Sequence, residues 1–309
     1  MAGCRRGGRD PRVVESVVGR TALTVLLLSL LIPAGIAQAD ITQADTATIM
    51  VEDDMGHTVT LEQPAQRIIS LSPHLTELLF TLEVDDQLVG TSRYSNYPEA
   101  ARDVPRVGDA FSINIELIVS LRPDLVLAWH TGGANKGIAR LRDLGIPIYV
   151  NESPSLESIG ETLLNVGQLA GSPVAASISK QYREQLAGLK SAYENPPSVF
   201  FQISDVDLYS VSDQHLIGEA IRHCGGRNIF PSLPASVSQV SQEAVLANNP
   251  DVLLVTQVPG QAPGPWFDRW QSFDLLTGRL VAIDPNLISR PSFRMLAGIE
   301  QVCAAIGPS

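Results

Sequence analysis

The residues that could perform catalysis are not arranged in any recognised catalytic pattern. The sequence has no Gly-x-Ser-x-Gly nucleophile elbow, no Gly-x-x-x-x-Gly-Lys-Ser/Thr phosphate loop, no His-Glu-x-x-His metal motif and no Gly-x-Gly-x-x-Gly fingerprint. Ser177 and Lys180 satisfy Ser-x-x-Lys, but the motifs that accompany it in known enzymes are missing. We therefore expect a protein that is not an enzyme.

The five histidines, His57, His74, His130, His215 and His223, are widely spaced. A metal site would have to assemble from distant segments. His74 and His130 are the two histidines that could both reach a cleft. We expect surface or capping histidines, no metal and no cofactor.

Aromatic residues are scarce, at 6% of the chain, but several lie in turn-rich segments that follow strands. These are Tyr94, Tyr97, Phe111, Trp129 and Tyr209. Ligands of open α/β sheets bind beyond the carboxyl ends of strands, where Trp129 is expected. Aromatic faces there suit a large, flat and partly apolar ligand.

The composition is that of a globular, acidic protein. Of 309 residues 44% are hydrophobic and 18% are charged, and the net charge is -11. Because nucleic-acid affinity comes mainly from Lys and Arg neutralising phosphates, we do not expect nucleic acid as a partner.

The first 39 residues are typical of a cleaved secretory signal peptide. Five arginines precede an uncharged apolar run at residues 21–32, and Ala37-Gln38-Ala39 is a small-x-small cleavage site. The run of 12 residues is shorter than the ~20 that span a bilayer. We therefore expect export to the periplasm as a soluble protein.

Strand-length apolar runs alternate with helical patterns in two blocks, which predicts α/β architecture. We assign an N-terminal lobe to residues 40–171 and a C-terminal lobe to residues 196–309, both Rossmann-like. Between them, Ser172 as N-cap, Pro173 in the first turn and Pro196-Pro197 as a stop predict one long helix at 172–195, roughly 33 Å in length.

An internal repeat relates the two lobes. Residues 114–128 (NIELIVSLRPDLVLA) match residues 241–255 (SQEAVLANNPDVLLV). Each copy has a Glu, Glu116 or Glu243, seven residues before Pro-Asp. An ordinary helix–turn–strand segment, with Asn114 or Ser241 as the N-cap of its helix, is enough to explain each copy by itself. The duplication predicts that Glu116 and Glu243 occupy equivalent surfaces, and that the cleft between the lobes is the ligand site.

Two cysteines follow the signal segment, Cys224 and Cys303. In an oxidising compartment an even pair favours a disulfide, and two thiols alone make a poor zinc site.

These segments resemble the periplasmic binding proteins for iron-siderophore, haem and cobalamin, and most closely the cobalamin branch. The resemblance covers residues 49–307. Residues 67–77 (RIISLSPHLTE) resemble the first strand and helix of the whole family, and residues 92–98 and 124–129 resemble the cobalamin branch. Residues 224–230 and 301–303 match the positions of its disulfide.

The resemblance implies a class III fold, in which two lobes are joined by one long helix, and a transport function. It implies that cobalamin or a related corrinoid is the transported ligand, and that the partners are an inner-membrane ABC permease and its ATPase. It assigns Glu116 and Glu243 to permease docking. The ligand-binding residues that it implies are Tyr94, Phe111, Trp129, Tyr209, Asp284 and Arg290. A monomer is expected.

Two positions depart from the cobalamin branch, because Phe111 and Val237 stand where tryptophans are familiar. A haem or ferric-siderophore receptor of the same fold is therefore an alternative. Anionic siderophores would call for an arginine-rich cleft, and the cleft segments offer only Arg93, Arg290 and Arg294. A signalling or scaffold module that has lost transport, and a periplasmic hydrolase, are more remote alternatives.

Overall fold

The computed structural model describes residues 48–109, 111–204, 206–262, 264–273 and 278–307. The signal peptide predicted at residues 1–39 lies outside the described residues. Within the described ranges, no helix combines the length and the apolar character needed to cross a membrane.

The N-terminal lobe is built on a four-stranded parallel sheet with the order β4-β3-β5-β6. Its strands are β3 (Ile68–Ser70), β4 (Leu88–Thr91), β5 (Leu125–Trp129) and β6 (Ile148–Asn151). Its helices are α1 (Pro73–Thr81), α2 (Ile115–Ser120), α3 (Asn135–Asp143) and α4 (Leu156–Ala170). Short 3₁₀ helices occupy Asp85–Gln87, Glu99–Asp103 and His130–Gly132.

The central strands of this sheet are apolar on both faces because helices cover both. In β5, Leu125 and Leu127 belong to the cluster that includes α1 and α4. The alternating Val126 and Ala128 belong to a second cluster, with α2 and α3. Such continuous apolar runs are typical of parallel sheets.

A hairpin precedes the sheet. Its strands β1 (Ile49–Glu52) and β2 (Thr58–Leu61) are antiparallel. In the turn, the Asp53 carboxylate accepts a hydrogen bond from Val150 N (3.2 Å), and the Asp54 carboxylate accepts one from Glu152 N (2.7 Å). The hairpin therefore anchors the carboxyl end of β6.

The C-terminal lobe contains a mixed sheet in the order β10-β8-β7-β11-β12, with β9 also pairing with β7. The strands are β7 (Ser198–Gln202), β8 (Tyr209–Val211), β9 (Arg227–Asn228), β10 (Val237–Gln239), β11 (Val252–Thr256) and β12 (Arg279–Ile283). The helices are α6 (Leu216–His223), α7 (Gln242–Asn248), α8 (Pro265–Gln271), α9 (Pro285–Ile288) and α10 (Met295–Ile306).

The internal repeat has a structural meaning in each lobe. The aspartate of each Pro-Asp pair binds the backbone at the start of the neighbouring parallel strand. Asp124 accepts from Arg67 N (2.9 Å) beside β3, and Asp251 accepts from Ser198 N (2.7 Å) at the start of β7. The Ser198 hydrogen bonds hold the pKa of Asp251 below its ordinary value. The repeat therefore aligns equivalent strand pairs in the two lobes.

The lobes are joined by α5 (Ala175–Gly188), which lies against α4. The Ser179 hydroxyl donates to Gly160 O (2.7 Å) and the Tyr182 hydroxyl donates to Leu156 O (2.9 Å). The Tyr182 ring also packs edge-on against Phe293 of the C-terminal lobe, with 6.0 Å between ring centroids. The connecting helix is thus part of the packed core.

The helix is shorter than the predicted 172–195, and at 14 residues it is roughly 21 Å long. It ends at Gly188, a residue type that is costly inside helices. Beyond it, Ser191 N donates to His223 O (3.0 Å), so the chain binds the end of α6 and leaves the helical path. Leu189 and Tyr193, which follow the end of the helix, still pack against the apolar cluster that includes α5.

One apolar cluster runs through both lobes and α5, from Leu78 and Leu163 to Val199 and Ile299. A disulfide joins Cys224, the residue that ends α6, to Cys303 on α10, with 4.7 Å between Cα atoms. The cysteine pair that the sequence favours is confirmed. The disulfide ties together two helices of the C-terminal lobe.

Candidate functional site

A cleft of about 490 Å³ opens between the two lobes. Its N-terminal wall includes Trp129, the last residue of β5, and residues 152–154, which follow the carboxyl end of β6. Its C-terminal wall includes residues 214–216 at the start of α6, Val237 on β10 and Pro291. This is the location in which parallel α/β sheets place ligands.

Trp129 is held from behind by a buried histidine. The His74 ring meets the indole edge-on, with 5.8 Å between centroids. His74 Nδ1 lies 2.6 Å from the Ser72 hydroxyl, and Nε2 lies 2.9 Å from Asn151 Oδ1. Burial lowers the pKa of His74 to about 4, with a further lowering by Arg290, so the ring is neutral at pH 7. His74 therefore supports the cleft wall as a neutral packing residue.

A buried carboxylate links the lobes beside the cleft. Glu77, on α1, accepts hydrogen bonds from Arg290 Nη1 (2.8 Å), Arg294 Nη1 (3.1 Å) and Ser292 Oγ (2.7 Å) of the C-terminal lobe. The Glu77 side chain is 1% exposed, and those of Arg290 and Arg294 are 14% and 24% exposed. Two cations around one buried anion form a strong, geometry-dependent contact.

Arg290, a predicted ligand contact, is already engaged within the protein. Besides Glu77, its guanidinium donates to Asn96 Oδ1 (2.9 Å), Asn286 Oδ1 (3.1 Å) and Tyr94 O (3.4 Å). A ligand could use Arg290 only through its remaining donor capacity or by displacing one of these acceptors.

The segment 92–98 is positioned by the same cluster. Arg290 binds the carbonyl oxygen of Tyr94, and the guanidinium of Arg294 lies 3.4 Å above the centre of the Tyr97 ring, a cation–π contact. Tyr94 itself has a φ of +70° and an exposed side chain. The exposed ring is available to a ligand, but it does not line the cleft.

The other predicted ligand residues lie outside the walls of the cleft. Phe111 is 83% exposed, in a separate surface pocket with residues 133–137. Tyr209 is exposed on β8. The Asp284 carboxylate accepts from Asn286 N (2.9 Å) as the N-cap of α9. Of the six predicted residues, Trp129 is the one that the structure places in the cleft wall.

The two predicted docking glutamates occupy equivalent positions. Glu116 is exposed in the first turn of α2, and Glu243 is exposed in the first turn of α7. The N-caps predicted for these two helices are confirmed, because Asn114 accepts from Leu117 N and Ser241 accepts from Ala244 N. Hydrogen bonds from its own backbone N–H and from Ser241 lower the pKa of Glu243.

Sequence reasoning missed two features of the site. Glu77 carried no local signal beyond being a carboxylate in an apolar helix, and its pairing with Arg290 spans 213 residues. The cleft position of His215 was equally hidden. Val237 was singled out in the sequence as a replaced tryptophan, and it does line the cleft. Among the described residues, no group of three or more His, Cys, Asp or Glu is placed to hold a metal ion.

Comparison with known proteins agrees with this architecture. Residues 68–265 match the family described as periplasmic binding protein. The Vitamin B12-binding protein of Vibrio vulnificus strain CMCP6 is 34% identical over 244 residues, which cover 78% of this chain and 89% of the relative. That of Yersinia pestis strain Pestoides F is 33% identical over 246 residues, covering 78% and 86%.

Solved structures show the same likeness. The periplasmic vitamin B12 binding protein BtuF of Vibrio cholerae has a TM-score of 0.70 at 32% identity, covering 79% of this chain and 97% of that chain. The periplasmic haem-binding protein RhuT from Roseiflexus sp. RS-1 has a TM-score of 0.67 at 24% identity, covering 78% and 98%. The second likeness shows a common fold alone.

Proposed function

The chain belongs to the periplasmic binding protein family, and we propose that it captures cobalamin, or a related corrinoid, between its lobes and delivers it to an inner-membrane ABC permease. Its fold is the class III fold of that family, with two α/β lobes joined by a helix, as the sequence predicted. The observation that carries the proposal is the likeness, over most of the chain, to proteins named vitamin B12-binding proteins.

The cleft supports a large and partly apolar ligand. Trp129 offers an indole face that His74 holds in place, while Val237 and Pro291 contribute apolar surface to the opposite wall. Tyr94 adds an exposed aromatic face on the N-terminal lobe, supported by the contact of Arg290 with its carbonyl. Aromatic faces of this kind stack on flat ring systems.

Little movement between the lobes accompanies capture in this proposal. The apolar cluster continues from one lobe into the other, and the Glu77 carboxylate binds Arg290 and Arg294 across the gap. In addition, Glu219 on α6 accepts a hydrogen bond from Leu156 N (2.9 Å) at the start of α4. An interface packed in this way favours small rearrangements over wide hinge opening.

Delivery uses the two exposed glutamates. Glu116 and Glu243 present one carboxylate on each lobe, and arginines of the permease would bind them. Exposed charge pairs of this kind set orientation and association rate more than affinity. The protein acts as an exported monomer, directed to the periplasm by residues 1–39, and it performs no chemistry on its cargo. The ATPase of the transporter supplies the energy for transport.

The test is a calorimetric titration of the purified protein with cyanocobalamin. We expect saturable one-to-one binding. Trp129→Ala should weaken it about 30-fold, as is typical of a buried aromatic contact. Trp266→Ala is the matched control, because Trp266 lies on α8 with its Nε1 donating to Val206 O (3.0 Å), outside the cleft wall. It should change the Kd less than twofold.

Haem and a ferric siderophore are titrated alongside. No saturable cobalamin binding at high micromolar concentration, with tight binding of haem or of the siderophore, would refute the proposed cargo. Cobalamin binding that Trp129→Ala leaves unchanged would refute the proposed place of the ligand, but not the cargo.

A further inference from the structure

His215 is an unusual helix cap that lies in the wall of the cleft. It occupies the N-cap of α6, where Ser, Thr, Asp and Asn are the common residues. Its Nδ1 accepts a hydrogen bond from Ile217 N (3.1 Å). The same residue lines the cleft between Gln214 and Leu216.

The cap determines which ring nitrogen carries the proton. A backbone N–H can only donate, so Nδ1 must hold a free lone pair. Burial lowers the pKa of His215 to about 4, so the ring is neutral at pH 7 and its single proton is on Nε2. Nε2 has no hydrogen-bond partner within the described part of the chain. The cleft wall therefore carries an N–H donor with spare capacity.

We infer that His215 is a specificity-determining residue of the cleft, whose Nε2–H donates a hydrogen bond to a carbonyl oxygen of the cargo and does not ligate a metal. This inference rests on the proposed function, because it concerns the cargo of the same site. A corrinoid carries amide carbonyls around its ring, which are acceptors for such a donor.

The same tautomer disfavours a cargo that is held by a histidine–metal bond. An imidazole that binds a metal through Nε2 needs the lone pair there, and it donates its other ring N–H to an acceptor. In His215 the other nitrogen faces the N–H of Ile217, so ligation would set a donor against a donor. Haem held by an iron–His215 bond would require the start of α6 to lose its cap.

His215→Ser is the decisive variant, because serine is a preferred N-cap and keeps α6 intact while it removes the ring donor. His57→Ser, in the N-terminal hairpin, is the control. We expect His215→Ser to weaken cyanocobalamin about 3- to 10-fold, the effect of one neutral hydrogen bond, and His57→Ser to leave the Kd unchanged. Nitrogen-15 NMR of the ligand-free protein at pH 7 should show His215 protonated on Nε2 alone.

Ferric haem provides the second readout, and it should give no iron–histidine absorption band that depends on His215. The inference is overturned by a protonated Nδ1 at pH 7, by such a band that disappears in His215→Ser, or by equal cobalamin affinity of His215→Ser and the unaltered protein. If the unaltered protein binds no cobalamin, the proposed function fails instead. The tautomer and the haem spectrum then still decide the role of His215.

Discussion

Replacing Glu77 by glutamine tests how far the inter-lobe ion cluster stabilises the fold. Glutamine has nearly the same shape as glutamate, so the substitution removes the charge and leaves little cavity. Arg290 and Arg294 would then lie next to each other without the carboxylate that binds both at 2.8 and 3.1 Å.

The magnitude follows from the burial of the three groups. Breaking a buried pair by neutralising one partner costs about 3–5 kcal/mol, because a desolvated charge is left uncompensated. The carboxylate of Glu77 is buried, but both guanidinium groups keep some contact with water, so we expect the lower end, about 3 kcal/mol. At roughly 2–4 °C per kcal/mol, the midpoint of thermal unfolding should fall by about 6–12 °C.

Urea unfolding followed by circular dichroism measures this loss, and Glu184→Gln is the matched control. Glu184 pairs with Lys180 at 3.7 Å, but its side chain is 66% exposed, and such surface pairs contribute less than about 1 kcal/mol. If Glu77→Gln lowers the unfolding free energy by no more than Glu184→Gln does, the reasoning about the cluster is refuted.

Three further predictions concern the disulfide, the docking glutamates and the response to acid. Reducing the Cys224–Cys303 bond, which spans a sequence separation of 79 residues, should lower the unfolding free energy by about 4 kcal/mol in urea titrations with and without dithiothreitol. A loss below 1 kcal/mol would contradict the loop-closure argument. Glu116→Lys combined with Glu243→Lys should reduce cellular cobalamin uptake about tenfold or more while the Kd for cobalamin stays within twofold, and undiminished uptake would remove the docking assignment. Because burial lowers the pKa of His74 to about 4, the unfolded chain binds a proton there before the folded chain does. The unfolding free energy should therefore fall as the pH drops from about 6.5 to 4, by on the order of 3 kcal/mol from this group, and His74→Gln should flatten that slope.

The features predicted correctly are those whose signals are local in the chain. Strand-length apolar runs that alternate with helical patterns in two blocks predicted the α/β architecture of both lobes. Asn114 and Ser241 were identifiable as caps because an N-cap acts on backbone N–H groups only two or three residues away. The repeat was visible for the same reason, since each copy is one continuous segment. An even pair of cysteines was enough to favour the disulfide.

The long connecting helix shows where a local pattern misleads. The flanking prolines indicated a helix to residue 195, yet the helix ends at Gly188. The hydrogen bond from Ser191 N to His223 O draws the chain away from the helical path. The sequence around residue 191 gives no indication that His223 is its partner.

The sequence by itself determined the α/β class, the two lobes, the repeat and the family resemblance, and it marked Trp129 as a residue at the end of a strand. Tertiary structure alone decided that Glu77 binds Arg290 across the lobes, and that His215 presents a fixed N–H donor in the cleft. The physical reason is the range of the interactions. Periodicity, capping and turns involve neighbours in the chain, whereas the partners of a buried charge are chosen only when distant elements pack.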